Sequence, residues 1–199
     1  MSDSKIIEVQ HITKRFKGLT AVKDVSFSVR EGGITGMIGP NGAGKSTTFN
    51  MICGYYPPTE GKIFYKGQDI TDKRAYEYTN MKIARTFQIM KPLKNLSVLE
   101  NVVASSYFGH AAAKNEREAK ERAMEILQFT GLYEKRHILS KDMGTPDQKR
   151  LEMARALATR PEMLFLDENM DEHRFCINNE FMPDMAYLKD RHTTEVTAK

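Results

Sequence analysis

The chain has 199 residues, 40% of them hydrophobic and 28% charged, with a formal net charge of +4. That composition is ordinary for a globular chain with a sizeable core, and so mild a positive balance does not by itself argue for a nucleic-acid partner. No apolar stretch approaches the roughly 18 residues that a membrane-crossing helix needs. Cys53 and Cys176 are isolated, which excludes CxxC metal spacing and suggests no disulfide framework. The first five residues lack the apolar core of a signal peptide, so a reducing, cytoplasmic setting is expected.

Residues 6–10 and 25–29 read as strands, separated by a basic loop at 11–17 and a turn at Gly18-Leu19-Thr20. Gly32-Gly33 then turns the chain into Ile34-Thr35-Gly36-Met37-Ile38, an apolar run read as a buried strand. Directly after it stands Gly39-Pro40-Asn41-Gly42-Ala43-Gly44-Lys45-Ser46, a complete GxxxxGK(S/T) phosphate-binding loop. Residues 47–53 read as a helix that Gly54 ends. Strand, loop and helix in that order give the pattern its physical meaning. The glycines let backbone N–H groups converge on phosphate oxygens at the positive end of a helix. Lys45 would reach the outer phosphates, and the Ser46 hydroxyl would hold magnesium. A nucleotide site is expected.

Further along, residues 55–61 form a Pro/Gly-rich turn, followed by strand candidates at 62–65 and at 83–87, the second ending at Gln88. From 95 to 132 the pattern is helical. Within it, 111–120 is rich in Ala, Glu, Lys and Arg and has little to bury, while 123–127 carries an apolar face. Residues 151–159 read as another helix, bounded by Pro161. Met163-Leu164-Phe165-Leu166-Asp167-Glu168 reads as a buried strand ending in two carboxylates. Asp167 would bind magnesium, usually through water, opposite Ser46. Glu168 could orient and deprotonate the water that attacks the γ-phosphate.

Arg85-Thr86-Phe87-Gln88, with Pro92 and 96–102 behind it, resembles the Q-loop of the ATP-binding-cassette (ABC) ATPases. Phe16, ahead of Ala21-Val22-Lys23-Asp24-Val25-Ser26-Phe27, matches the aromatic residue that stacks on adenine in that family. The segments at 34–36, 49–58, 83–88 and 150–157 look like one subgroup, the cytoplasmic ATPases of branched-chain amino-acid importers. The resemblance runs over residues 6–168. It implies an α/β P-loop NTPase core with an antiparallel β subdomain and an α-helical subdomain at about 89–158. It also implies ATP and Mg2+ as ligands. Gly39, Pro40, Asn41, Gly42, Ala43, Gly44, Lys45, Ser46 and Thr47 would surround the phosphates, and Phe16 would stack on the base. Gln88 would contact the nucleotide and, with Ser46 and Asp167, the metal. Glu168 would be the catalytic base. The partners implied are transmembrane permease subunits and a second ABC ATPase subunit, identical or not, at the inner face of the cell membrane. Nucleic acid is not an expected partner.

Two segments depart from the family pattern. Where the family's signature resembles Leu-Ser-Gly-Gly-Gln, this chain has Gly144-Thr145-Pro146-Asp147-Gln148. Thr145 could replace the serine hydroxyl, but Pro146 has no N–H to give to the partner's phosphate. A lost charge-assisted hydrogen bond costs on the order of 1.5–3 kcal/mol. An uncompensated Asp147 carboxylate near phosphate adds up to ~4 kcal/mol at an effective dielectric of ~20. A weakened sandwich dimer is therefore expected, with binding in cis touched less. The second departure is residues 169–199, an atypical or truncated C-terminal part that matches none of the family's continuation. Neither His173 nor His192 fits the switch histidine, and both read as solvent-exposed. The family's strand before that histidine is missing, and 175–177 or 185–188 could supply a substitute. An alternative function follows from these departures, a degenerate remnant that binds nucleotide without productive hydrolysis. A soluble ABC-type ATPase acting on nucleic acid is the weakest reading.

Overall fold

The computed structural model describes residues 4–86, 92–170, 173–178 and 193–197, beyond Leu166 by backbone alone. The chain divides into two compact units, one formed by Met1–Tyr78 with Phe165–Lys199 and the other by Thr79–Leu164.

In the first unit, β1 (Lys5–Phe16) and β2 (Leu19–Arg30) form a long antiparallel pair running from Lys5↔Arg30 to Phe16↔Leu19. The basic loop expected at 11–17 is therefore mostly strand. The reason is a bulge: three β1 steps from Val9 to Ile12 face two β2 steps from Phe27 to Val25, and His11 takes a positive φ of 51°. The extra residue breaks the period-2 alternation, yet it returns Ile12 to the buried face. β4 (Glu60–Tyr65) pairs with the other edge of β1, and β5 (Gln68–Asp69) follows it, giving the order β2-β1-β4-β5. Gly61 is required there, because a Cβ would lie 2.4 Å from the carbonyl oxygen of His11 at the bulge.

The second sheet of this unit is built around β3 (Ile34–Ile38), the strand that feeds the phosphate-binding loop. Its order is β7-β8-β3-β9, with β7 at Met163–Met170, β8 at His173–Asn178 and β9 at Thr193–Thr197. β8 runs antiparallel to β3, from Ile34↔Ile177 to Met37↔Arg174. β9 runs parallel to it, from Ile34↔Thr193 to Ile38↔Thr197. The segment after Glu168 thus satisfies the backbone of β3 on both edges, and the substitute expected at 175–177 lies within β8. The other candidate, 185–188, lies outside the described residues. The expectation that β7 stops at its two carboxylates is corrected, since the strand continues to Met170 to reach β8. Helix α1 (Lys45–Ile52) packs its buried Phe49 edge-on against Phe165 of β7, with centroids 5.8 Å apart at 83°. Burying each such ring is worth about 1.5–3 kcal/mol. α2 (Ala75–Asn80) begins in this unit, and its last two residues belong to the second.

The second unit holds β6 (Ile83–Arg85), the first two residues of β7 and three helices. These are α3 (Val98–Ser106), α4 (Glu116–Phe129) and α5 (Thr145–Ala158). α3 opens on a capping box between Ser97 and Glu100, and α4 opens on Asn115, whose side chain accepts from the Glu118 amide. The helical pattern expected from 95 to 132 is interrupted at 107–115, because the α4 cap falls at Asn115 rather than before Ala111. Arg122 holds the interruption in place. It is only 4% exposed and donates to the carbonyls of Ala111 (2.7 Å), Ala158 (3.3 Å) and Ser106 (3.4 Å) while pairing with Glu118. Two of those carbonyls end α3 and α5, where a cation also meets the negative helix poles. α5 begins six residues earlier than the apolar pattern indicated, inside the departing signature.

Candidate nucleotide site

The loop from Gly39 to Gly44 leaves β3 and enters α1 with no side chain over the helix end. The N-cap is Gly44, at φ 82°, and no acidic residue lies in the first turn. A helix begins with amides that have no intrahelical partner, so this end offers donors and a positive pole to an anion. Two backbone bonds shape the loop, Ala43 N to Pro40 O (3.2 Å) and Thr48 N to Gly44 O (2.8 Å). Gly44 is forced twice over: its φ is left-handed, and a Cβ would lie 2.7 Å from the Ala21 carbonyl and 3.0 Å from Val22 Cγ2 of β2.

Lys45 is 7% exposed, and its ammonium donates to the carbonyls of Gly39 and Pro40, the latter at 2.9 Å. Among the described residues the oxygens that hold it are neutral, and a buried cation so held is costly. The third proton of the ammonium and its full charge suit an anion at the same loop. Ser46 follows on the exposed side of the helix start, and Thr47 is half-buried. The residues present therefore fit a polyphosphate.

Phe16 ends β1 with 42% of its surface exposed, and Tyr56 stands perpendicular to it at 5.6 Å and 88°. Tyr55 meets Tyr56 at 6.0 Å. Asp167 and Glu168 lie two and three residues beyond the buried Phe165 along β7. Arg174 of β8 is the register partner of Met37, which places the first residues of β8 at the end of β3 from which the loop departs. Gln88 and His192 lie outside the described residues. Phe16 and the loop residues fall in one compact unit, together with Asp167 and Glu168.

The sequence profile of the ABC transporter family matches residues 22–171. The chain belongs to that family. It is 39% identical over 173 residues to a probable branched-chain amino acid transport ATP-binding protein, LivG, of Archaeoglobus fulgidus, covering 82% of this chain and 67% of the relative. Its fold is similar to the ADP conformation of MJ1267, an ATP-binding cassette of an ABC transporter. There the TM-score is 0.71 at 34% identity, over 81% of this chain and 67% of that one. It is also similar to a dimeric post-hydrolysis state of the ATP-binding cassette MJ0796 bound to ADP and Pi. That comparison gives a TM-score of 0.73 at 29% identity, over 83% and 75% of the two chains. Among the described residues no helix is long and apolar enough to cross a membrane.

In this ABC ATPase the departing signature forms the start of α5. Gly144 is the N-cap, again without a side-chain cap, and Pro146 falls in the first turn. An amide at that position has no intrahelical partner, so the helix tolerates proline. Asp147 is corrected from an uncompensated charge to a paired one. Its carboxylate is 17% exposed, bonds the Lys135 ammonium and lies 3.7 Å from the Arg150 guanidinium. Two cations flank one anion, so the repulsion expected of a bare carboxylate is largely cancelled. Gln148 turns inward and donates to the Met143 carbonyl at 3.0 Å. Sequence reasoning missed Lys135, since its partner lies twelve residues away across a turn and no spacing rule joins them. It also left Lys14 and Tyr56 without a role, although the adjacent aromatic residues Tyr55 and Tyr56 were a signal.

Proposed function

We propose that this chain is the ATP-binding subunit of an importer for branched-chain amino acids, coupling ATP binding and hydrolysis to transport. The observation that carries this reading is the buried Lys45 ammonium at an uncapped helix start, a place where a nucleotide's phosphates meet both a cation and open amides. Gly39 to Thr47 cradle the phosphates and Phe16 stacks on the base. Ser46, Asp167 and Gln88 would hold Mg2+, a hard cation suited to their oxygens, which would neutralise charge on the outer phosphates. Glu168 takes a proton from the attacking water. The new P–O bond forms at the γ-phosphorus as the bond to the β-phosphate oxygen breaks, giving ADP and inorganic phosphate. The names of the relatives support the transport role. The partners are transmembrane permease subunits and a second ABC ATPase subunit at the inner face of the membrane. The 6–168 region acts as the ATPase domain, and 169–199, atypical for the family, adds strands β8 and β9 to its sheet.

The test is equilibrium binding of labelled ATP together with steady-state hydrolysis. Lys45→Ala is expected to abolish binding, whereas Glu168→Gln is expected to keep binding and lose turnover. Unchanged affinity in the Lys45 variant would sink the site assignment. A second reading is favoured by Pro146, which leaves the α5 end one donor short: a remnant that binds nucleotide without productive turnover. Turnover on the order of 1 per second or faster excludes it.

A further inference from the structure

Lys14 was left without a role by the family resemblance, yet its ammonium has a definite place. It lies 5.4 Å from the Phe16 ring centroid and 4.8 Å from that of Tyr56, and those two centroids are 5.6 Å apart. The three points make a nearly equilateral triangle, so the ammonium and Tyr56 lie in neighbouring directions from the Phe16 ring. The same ammonium donates to the Pro57 carbonyl, tying the segment after α1 back to β1. That segment is laced to β1 elsewhere too, by Thr59 N to Thr13 O (2.7 Å), Arg15 N to Thr59 Oγ1 (3.1 Å) and the Arg15–Glu60 ion pair. Lys14 is also the register partner of Val22, whose side chain and preceding carbonyl bound Gly44 of the phosphate loop. Cation, rings and loop are therefore linked through β2.

We infer that Lys14 and Tyr56 are positioning residues for nucleobase binding, holding Phe16 edge-braced with a cation behind it so that a purine stacks as the outer layer. This rests on the reading of Phe16 as the stacking ring. A cation near an aromatic ring draws π density toward itself. The far side of Phe16 becomes the better partner for an electron-rich base, and the brace fixes the ring's tilt. The phosphates take no part in that contact, so the effect must separate base from phosphate.

The experiment compares ATP with inorganic tripolyphosphate as competitors of a fluorescent ATP analogue. Lys14→Met and Tyr56→Leu are each expected to weaken ATP about three- to tenfold and to leave tripolyphosphate unchanged, with Lys14→Arg restoring ATP to near the wild-type value. Phe16→Ala is the arm that tests the underlying reading, and it should weaken ATP alone. If Phe16→Ala leaves ATP binding intact, the stacking platform and this inference both fall. If Phe16→Ala weakens ATP while Lys14→Met and Tyr56→Leu do not, the inference alone is overturned. Equal weakening of ATP and tripolyphosphate by Lys14→Met also overturns it, because Lys14 then acts through the loop or the fold.

Discussion

Helices α3 and α4 begin as structural helices usually do, with Ser97 and Asn115 bonding the first free amides. Helices α1 and α5 each begin on a glycine, Gly44 and Gly144, with no side chain over the end. With glycine as the cap, leaving such amides open forgoes roughly a few tenths of a kcal/mol at each helix. The open ends therefore mark where the chain keeps donors for something else, and both coincide with segments that the family resemblance assigned to phosphate. They differ from each other in charge. The α1 end holds a buried cation, Lys45, whereas the α5 end holds a carboxylate, Asp147, wrapped by Lys135 and Arg150. One end is ready for an anion. At the other, an acidic side chain already sits in the first turn.

The comparison breaks most sharply at Gly44. Gly44→Val puts a branched side chain at a left-handed φ against the Ala21 carbonyl, and labelled-ATP affinity is expected to fall about a hundredfold or more. Wild-type affinity in that variant would mean the open α1 end binds nothing. At α5 opposite changes are expected from the two halves of one ion pair. Asp147→Gly should raise ATP-dependent self-association by about tenfold and Lys135→Ala should lower it similarly, both read by sedimentation and both shrinking at high salt. Changes of the same sign would break the charge contrast. Ser97→Ala sharpens the other side, costing about 1 kcal/mol in denaturant unfolding with no change in ATP affinity.

The smallest effect belongs to a site at neither kind of helix end. The Thr71 hydroxyl and amide both donate to Asp69 and hold its carboxyl down at about 2. A depressed carboxylate pKa contributes stability above about pH 4, and that contribution is lost as pH falls toward 2. Asp69→Asn should flatten the acid limb of the stability curve between those values by lowering the neutral plateau toward the value at about pH 2. A steeper acid limb in the variant would refute the assignment.

Local patterns were legible before any coordinates. The strand–loop–helix at 34–52 is encoded in consecutive residues, and β4 was bounded by glycine and charge. The helix from 151 onward showed its apolar period. What escaped depends on partners far along the chain. β1 continues past His11 only because a bulge keeps Ile12 inward while Gly61 of β4 makes room. The start of α4 hid behind an Ala/Glu/Lys-rich run whose propensity extends past the true cap at Asn115. In the site, Gly44 and Lys45 could be named from the motif. The Lys14–Phe16–Tyr56 cluster and the Lys135–Asp147 pair arise from tertiary juxtaposition and have no sequence period.

Both edges of β3 are covered by strands roughly 140 to 160 positions downstream, from Ile34↔Ile177 on one side to Ile38↔Thr197 on the other. During synthesis the phosphate-binding loop precedes by roughly 140 to 160 residues the two strands that the described residues place beside β3. Pairings of such sequence separation form slowly, because the intervening chain must be closed into a loop first. Over that interval the nascent chain carries an apolar strand without these two partners, a state prone to association with other chains. Nucleotide affinity should accordingly be acquired late in folding and in step with protection of the β3 amides.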